Sequence, residues 1–298
     1  MFISINININ IHINMDDNIN MANNQTITIT LCDCAENHVG MEKIGTDTKT
    51  GFQLKDLFIV RDLFINMGAQ CKIFDLNYPI ENIDIYPNDE AYILIIKNGI
   101  DFMIDKNDKH DKSDKNDVAD DLFDELANLK WDTKAFMYGR VVNKHARHNL
   151  CFADYNRKPD YQNGKGRIIA FENLPLLAGI RNKLGKILNC KLVAEGNYYY
   201  DVDKCGISYH GDSERSQVIG LRLGATMPLV FQWFHDANPV SENIMFNIEH
   251  GDIYIMSEKA TGNDWKRRSI YTLRHAAGAA KYLTIKNLTT KNLTTKKK

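Results

Sequence analysis

The sequence predicts an α+β fold: a double-stranded β-helix (jelly roll) core with supporting helices, preceded by a small N-terminal α+β region. Two amphipathic helical segments, at 118–131 and 174–188, come before most of the predicted strands of the core. The short apolar segments that follow are ISYH, QVIGLRLG, PLVFQWFH, NIMFNIEH, DIYIMS, YTLRHA and KYLTIK. Many short strands at close spacing after two helices are typical of a double-sheet jelly roll with helices on one face.

The N-terminal segment 1–50 is predicted to be of low complexity and disordered, with residues 1–31 a dispensable tail. Its stretch INININIHIN alternates apolar and polar residues with the period of a strand. Asn-rich alternation that has nothing to pack against is more typical of a disordered, aggregation-prone segment.

Residues 51–104 are predicted to form a small accessory α+β region. The segment LKDLFIVRDLFINMGAQCKIFDL indicates an amphipathic helix followed by a strand, and AYILIIKNGIDFMI indicates a hairpin with Asn98-Gly99 at its turn. This region is either a docking element or an N-terminal extension of the core. Residues 105–117 are almost all charged and are predicted to be a solvated linker.

The predicted core covers residues 118–288, and a basic tail covers 289–298. A helix is predicted for VADDLFDELANLKW, a strand for FMYGRVV, a second helix for 174–188 and a strand for KLVAEGNYYY. The last strand is predicted for KYLTIK.

Bulk composition excludes several classes of protein. The chain has 298 residues and a formal net charge of −1, so no global field draws it to nucleic acid or to a membrane surface. It has no apolar run of membrane-spanning length and no secretory signal pattern. The six cysteines have no zinc-site spacing, which favours a reduced intracellular location, cytoplasm or nucleus, and not secretion.

The segment GISYHGDSER carries the strongest chemical signal. His210 and Asp212 are two residues apart in a predicted strand, so their side chains point to one face. An imidazole and a carboxylate side by side supply two of the three ligands of a non-haem Fe(II) site. His235, His250 and His275 are candidates for the third, and the small residues beside His275 favour it.

Two lysines flank the predicted final strand. Lys281 and Lys286 would meet the far carboxylate of a 2-oxo dicarboxylate that chelates the iron. On periodicity alone, they are more readily explained as solvated residues of an edge strand.

Several motifs in the same order resemble the AlkB-like family of Fe(II)/2-oxoglutarate dioxygenases. GNYYYDVDKCGISYHGDSER is similar to the family's Asn-x-Tyr followed by His-x-Asp-x-Glu, and VIGLRLGATMPLVFQW to its next strand pair. IEHGDIYIM is similar to its Gly-Asp strand, RHAAG to its distal histidine site, and KYLTIK to its last strand. The nucleotide-recognition lid of the family corresponds in position to the helix before Trp131 and the strand FMYGRVV.

The resemblance implies an oxidoreductase that uses Fe(II), 2-oxoglutarate and O₂. His210, Asp212 and His275 would hold the iron, and Asn197 and Tyr199 would bind 2-oxoglutarate, with Tyr200 an alternative to Tyr199. Lysines 281 and 286 stand where the family has arginines. The stretch TGNDWKRRSIYT is similar to no part of the family and is interpreted as an insertion.

The implied substrate is an alkylated nucleic acid base, in DNA or RNA, as in DNA repair by demethylation. Basic and aromatic residues interleave at 138–167, which suits phosphate contacts and base stacking. The candidate substrate-contacting residues are Tyr138, Arg140, Arg147, His148 and Glu214. Two alternatives remain: a protein hydroxylase or demethylase on the same core, and a jelly-roll binding module without activity. The sequence leaves the oligomeric state open.

Overall fold

The computed structural model describes residues 24–80, 90–104 and 117–285. The strands are β1 (Thr26–Cys32), β2 (Cys34–Glu36), β3 (Lys43–Gly45), β4 (Gln70–Asp75), β5 (Tyr92–Lys97), β6 (Lys134–Met137), β7 (Arg140–Asn143), β8 (His148–Ala153), β9 (Ile168–Ala170), β10 (Val193–Tyr199), β11 (Gly206–His210), β12 (Val218–Gly224), β13 (Met227–His235), β14 (Asn238–Pro239), β15 (Ile244–Ile248), β16 (Ile253–Met256) and β17 (Thr272–Gly278). The α-helices are α1 (Leu54–Asn66), α2 (Val118–Ala127), α3 (Pro175–Ile187), α4 (Glu258–Thr261) and α5 (Ala280–Leu283).

Two sheets form the body of the fold. The major sheet has the order β4-β5-β16-β12-β1-β10-β8-β9, and the minor sheet has the order β11-β17-β13-β14 with β15 also paired to β13. The strands pair antiparallel except for β8 with β9. The predicted α+β class is therefore confirmed.

The two faces of the major sheet are buried against different elements. One face packs on α1, α2 and α3 through residues such as Leu57, Leu122 and Leu177. The other face meets the minor sheet, where Leu229 and Phe231 of β13 are buried. The layers are thus helices, major sheet and minor sheet, and the candidate site lies between the two sheets.

The structure of residues 24–50 contradicts the predicted disorder of the N-terminal segment. All residues of β1 are buried, and this strand lies at the centre of the major sheet between β10 and β12. The predicted disorder of 1–50 is therefore wrong for the strands between residues 26 and 45. The described part of the segment, TITITLC in β1, has packing partners, because β10 and β12 supply backbone hydrogen bonds on both of its edges. Residues 1–23 lie outside the described residues.

The region 51–104 belongs to the same sheet as the predicted core. Helix α1 and strand β4 form where the sequence predicts them, and β5 pairs with β16. Of the two alternatives, this is an extension of the core. The predicted hairpin at Asn98-Gly99 is wrong, since a 3₁₀ helix, Gly99–Phe102, follows β5. The linker 105–117 lies outside the described residues except for Asp117.

Further along the chain, α2, α3 and β10 form as predicted. The segment FMYGRVV is not one strand but the hairpin β6–β7, whose turn places Tyr138 and Gly139 at positive φ. The segment KYLTIK is not a strand either, because its first residues form α5. Lys286 and the tail 289–298 lie outside the described residues. No helix in the described part of the chain is long and apolar enough to cross a membrane.

Candidate metal centre

Three predicted ligands converge at one end of the minor sheet. His210 is the last residue of β11, Asp212 follows in the next loop, and His275 lies on β17. One ligand atom from each lies within 4.8 Å of the others. Of the three histidine candidates, the fold brings His275 to the pair. His250 instead accepts a hydrogen bond from the Gly224 amide through Nδ1.

Strand register explains why the two histidines meet. His210 and His275 lie opposite each other on antiparallel strands, and directly opposed residues project from the same face. Their ring centroids are 4.5 Å apart. The loop that carries Asp212 turns tightly at Gly211, where a Cβ would lie 2.0 Å from the carbonyl oxygen of Gly262. Only glycine fits there.

The hydrogen bonds of the ligands favour a cation between them. Nδ1 of His210 donates to the carbonyl oxygens of Ser208 and His275, at 2.9 and 3.0 Å, which leaves Nε2 of the neutral ring with its lone pair. Nε2 of His210 lies 3.5 Å from Asp212 Oδ1, and Nε2 of His275 lies 3.7 Å from the same oxygen. These separations are too long for good hydrogen bonds and suit donor atoms around a metal ion.

Both imidazoles are uncharged at neutral pH. Burial, with a contribution from Arg147, lowers the pKa of His210 to about 4. Burial and the neighbouring His210 lower the pKa of His275 to about 4. Neutral imidazoles and a carboxylate are the protonation states that metal binding requires.

The three ligands open onto a cavity of about 520 Å³ between the two sheets. Its wall on the major sheet includes Thr28 of β1, Asn197 of β10 and Arg222 of β12, which share one row because Thr28 is paired with both neighbours. Tyr199 and Tyr254 line the same cavity. The segment predicted to be disordered therefore supplies part of the site.

Arg222 is the residue that sequence reasoning missed. It is 1% exposed, and its Nε and Nη1 have no hydrogen-bond partner among the described residues. Burial lowers its pKa. The hydroxyl of Thr28, directly opposite, is also buried without a partner in that set. Buried guanidinium atoms without a hydrogen-bond partner are costly, and an anion bound in this part of the cavity would satisfy them. The signal in the sequence was a single arginine inside the apolar strand QVIGLRLG.

A second buried arginine supports the ligand loop. Arg215 pairs with Glu195 and with Glu214, at 2.6 Å for Glu214, and lies 3.8 Å from Asp212. Burial raises the pKa of Glu214 to about 7, although Arg215 opposes this effect. Burial acts in the same direction on Glu195, but Arg215 reverses it and lowers the pKa of that carboxyl. Through Arg215, this cluster of charged residues holds the Asp212 carboxylate in position.

Four predicted binding residues line the cavity: Asn197, Tyr199, Arg147 and Glu214. The Asn197 amide is already engaged, because its Oδ1 accepts from Arg147 Nε at 2.6 Å and its Nδ2 donates to Glu195 at 3.1 Å. Asn197 therefore acts first as a positioning residue for its charged neighbours.

Other predicted residues lie away from the cavity. Lys281 is exposed on α5, with its Nζ over the Tyr282 ring. Tyr138 is 89% exposed at the β6–β7 turn, and Arg140 is exposed on β7. His148 stacks on Tyr200 at 4.9 Å. None of these residues lines the cavity. The predicted insertion, by contrast, contributes Trp265 and Lys266 to its wall.

The fold and the converging side chains define an α+β protein with two main sheets and a candidate mononuclear metal centre. The chain matches no family model. It is 50% identical over 260 residues to the uncharacterised protein R156 of Acanthamoeba polyphaga mimivirus, and the alignment covers 87% of this chain and 98% of R156. The chain therefore belongs to the same family as R156, whose name states no activity.

Proposed function

We propose that this protein is an Fe(II)- and 2-oxoglutarate-dependent dioxygenase that dealkylates nucleic acid bases. One observation carries the proposal. The His210–Asp212–His275 group opens onto the same cavity as the unpaired guanidinium of Arg222. A metal site and a buried cation in one cavity match a co-substrate that is at once a metal chelator and an anion.

The donor set fits iron. Two neutral imidazoles and one carboxylate form the facial triad of non-haem Fe(II) oxygenases, which leaves coordination positions open. The triad contains no thiolate, whereas structural zinc sites commonly use several. When bound, the iron would supply the oxidising chemistry. The protein contributes binding, orientation and exclusion of water.

The wall of the major sheet fits 2-oxoglutarate. Arg222 would pair with the far carboxylate, and Thr28, Tyr199 and Tyr254 offer hydroxyl groups in the same cavity. Burial raises the pKa of Tyr254 to about 12, so its hydroxyl keeps its proton and remains a donor at neutral pH. This assignment moves the anion-binding role from Lys281 and Lys286 to β12.

Other residues around the site hold the candidate metal ligands in position. Arg215 and Glu195 hold the loop that carries Asp212, and the carbonyl oxygens of Ser208 and His275 orient the His210 ring. Two facing sheets with the metal ligands at one end suit a double-stranded β-helix. The ordered motifs that resemble AlkB-like dioxygenases agree with that core.

The charged residues in the cavity wall favour nucleic acid bases as substrates. Arg147 and Lys266 place positive charge beside the cavity, which suits a phosphate backbone, and Glu214 places a carboxyl group within it. A protein hydroxylase on the same core and a binding module without turnover are the competing functions. The first predicts no salt-dependent binding of oligonucleotides, and the second predicts no turnover of 2-oxoglutarate.

The experiment is an anaerobic titration of the full chain with Fe(II) and 2-oxoglutarate, followed by admission of O₂ and a succinate assay. We expect a weak visible charge-transfer band that decays as succinate forms. His210→Ala should abolish both signals and keep the far-ultraviolet circular dichroism of the wild type. His145→Ala is the matched control, because His145 is exposed and does not line the cavity.

Three results would distinguish the alternatives. A folded wild type with neither band nor succinate contradicts the dioxygenase proposal and favours the binding module. Full activity in His210→Ala contradicts the assigned site. Succinate formation that is stimulated by methylated peptides, but not by alkylated oligonucleotides, favours the protein-directed enzyme.

A further inference from the structure

The segment after α4 forms a wall of the cavity beside the metal ligands. Trp265 packs against Gly211, the residue between His210 and Asp212, since a Cβ at Gly211 would lie 2.8 Å from the Trp265 Cβ. Trp265 also lines the cavity. An indole is therefore fixed next to the place where a substrate must present its reactive carbon.

Trp265 is the last layer of a stack of flat groups. The guanidinium of Arg274 lies 4.2 Å from the Phe234 ring centroid and 5.2 Å from that of Trp265. Arg274 Nη2 also donates to the Trp265 carbonyl oxygen at 3.4 Å. Arg274 lies over one face of the indole, and Nζ of the exposed Lys266 also lies over the ring, 5.6 Å from its centroid. A base that stacks on the face opposite Arg274 would therefore meet the Lys266 ammonium beside it.

Buried contacts hold the segment in place before any ligand binds. Nζ of Lys259 donates to Asp264 at 2.8 Å and to the carbonyl oxygen of Tyr271 at 2.7 Å, which ties the two ends of the loop together. The Trp265 amide donates to the Gly262 carbonyl oxygen at 3.0 Å. A rigid aromatic surface binds a flat partner with little loss of side-chain entropy.

We propose that Trp265 is the stacking platform for a planar heteroaromatic ring of the substrate, a nucleobase, so that the ring continues the Phe234–Arg274–Trp265 stack. This inference rests on the proposed function and assigns base recognition to the predicted insertion. The β6–β7 hairpin is not required for it, because Tyr138 and Arg140 do not line the cavity. Stacking of a base on an aromatic side chain is sequence-tolerant and contributes to affinity on its own.

The test uses the full chain loaded with Mn(II) and N-oxalylglycine, an inert metal and dicarboxylate pair. Calorimetry measures binding of this pair first, and then of 1-methyladenosine 5′-monophosphate, with ribose 5-phosphate as the probe that lacks a base. The variants are Trp265→Leu, which removes the aromatic ring, and Trp265→Phe, which keeps one. Arg267→Ala, at an exposed neighbour, is the matched control.

We expect the methylated nucleotide to bind the wild type and Arg267→Ala equally. Trp265→Leu should weaken it at least about tenfold and Trp265→Phe about threefold or less, and ribose 5-phosphate should not distinguish the variants. Equal nucleotide affinity in Trp265→Leu and the wild type overturns the platform. An absence of nucleotide binding to the loaded wild type overturns it as well. Failure of Mn(II) and N-oxalylglycine to bind the wild type overturns the proposed function itself, and the platform with it.

Discussion

Thr28 and Arg222 lie directly opposite each other on the adjacent strands β1 and β12, and both line the cavity onto which the candidate metal ligands open. Each carries buried polar atoms without a partner among the described residues. Their pairing brings β1, the first described strand, next to β12, which comes almost 200 residues later in the chain. An anion at this point would satisfy both groups together.

The first prediction concerns Arg222. Arg222→Met should weaken binding of N-oxalylglycine to the Mn(II)-loaded protein about 10- to 100-fold, because a charge-assisted contact worth about 1.5–3 kcal/mol is lost. The free energy of unfolding of the ligand-free protein should stay equal or rise, because a buried charge without a partner is removed. Calorimetry and urea unfolding measure the two effects. Lys281→Ala is the control and should leave both unchanged. A destabilised Arg222→Met with normal ligand affinity would make the residue structural.

The second prediction concerns Gly211. Gly211→Ala should lower the affinity for Mn(II) at least about tenfold, because its Cβ would lie 2.0 Å from the Gly262 carbonyl oxygen and would displace the loop between two ligands. Gly179→Ala is the matched control. Gly179 is exposed on α3 with nothing within 4 Å of an added Cβ, so this change should stabilise the helix by roughly 0.5–1 kcal/mol and leave metal affinity unchanged. Metal affinity of Gly211→Ala equal to the wild type would contradict the packing of this loop.

The third prediction tests the position of β1. Ile29 is completely buried among the residues between the major sheet and the helices. Ile29→Ala should lower the free energy of unfolding by about 2–5 kcal/mol, as measured by urea denaturation. Val39→Ala removes an apolar side chain that is 76% exposed and should change stability by less than about 0.5 kcal/mol. Similar small effects in both variants would restore the interpretation of residues 1–31 as a dispensable tail.

The fourth prediction concerns pH and Lys144. Burial, with a contribution from Arg147, lowers the pKa of Lys144 to about 7. Because the unfolded chain then binds more protons than the folded chain between pH 7 and 10.5, this residue makes the free energy of unfolding rise with pH across that window. Its hydrogen bonds to Asn37 and Asn149 favour the charged form and reduce the effect.

Urea unfolding of the wild type and of Lys144→Met at pH 6.5 and 8.5 measures this linkage. For a folded-state pKa of about 7, the stability difference, wild type minus variant, should increase by about 2 kcal/mol at the higher pH, and by less where the hydrogen bonds of Lys144 favour its charged form. A difference that stays constant or decreases would mean that Lys144 keeps its proton in the folded protein.

Local sequence pattern was sufficient to predict the candidate metal ligands and the two core helices. The spacing of His210 and Asp212 and the small residues beside His275 pointed to the group that the fold brings together. The apolar periodicity of α2 and α3 follows from residues that are neighbours along one helix. Such signals lie within a few residues of each other and are visible without the rest of the chain.

The sequence by itself determined the α+β class, the His-x-Asp pair and the two core helices. Only the tertiary structure decided that β1 is central and that Arg222, rather than Lys281, faces the cavity. An alternating segment has the same pattern whether or not it is incorporated into a sheet. The environment of an arginine in an apolar strand cannot be read from the sequence until the residues on the neighbouring strands are known. Those neighbours come from distant parts of the chain through strand pairing, which local periodicity does not specify.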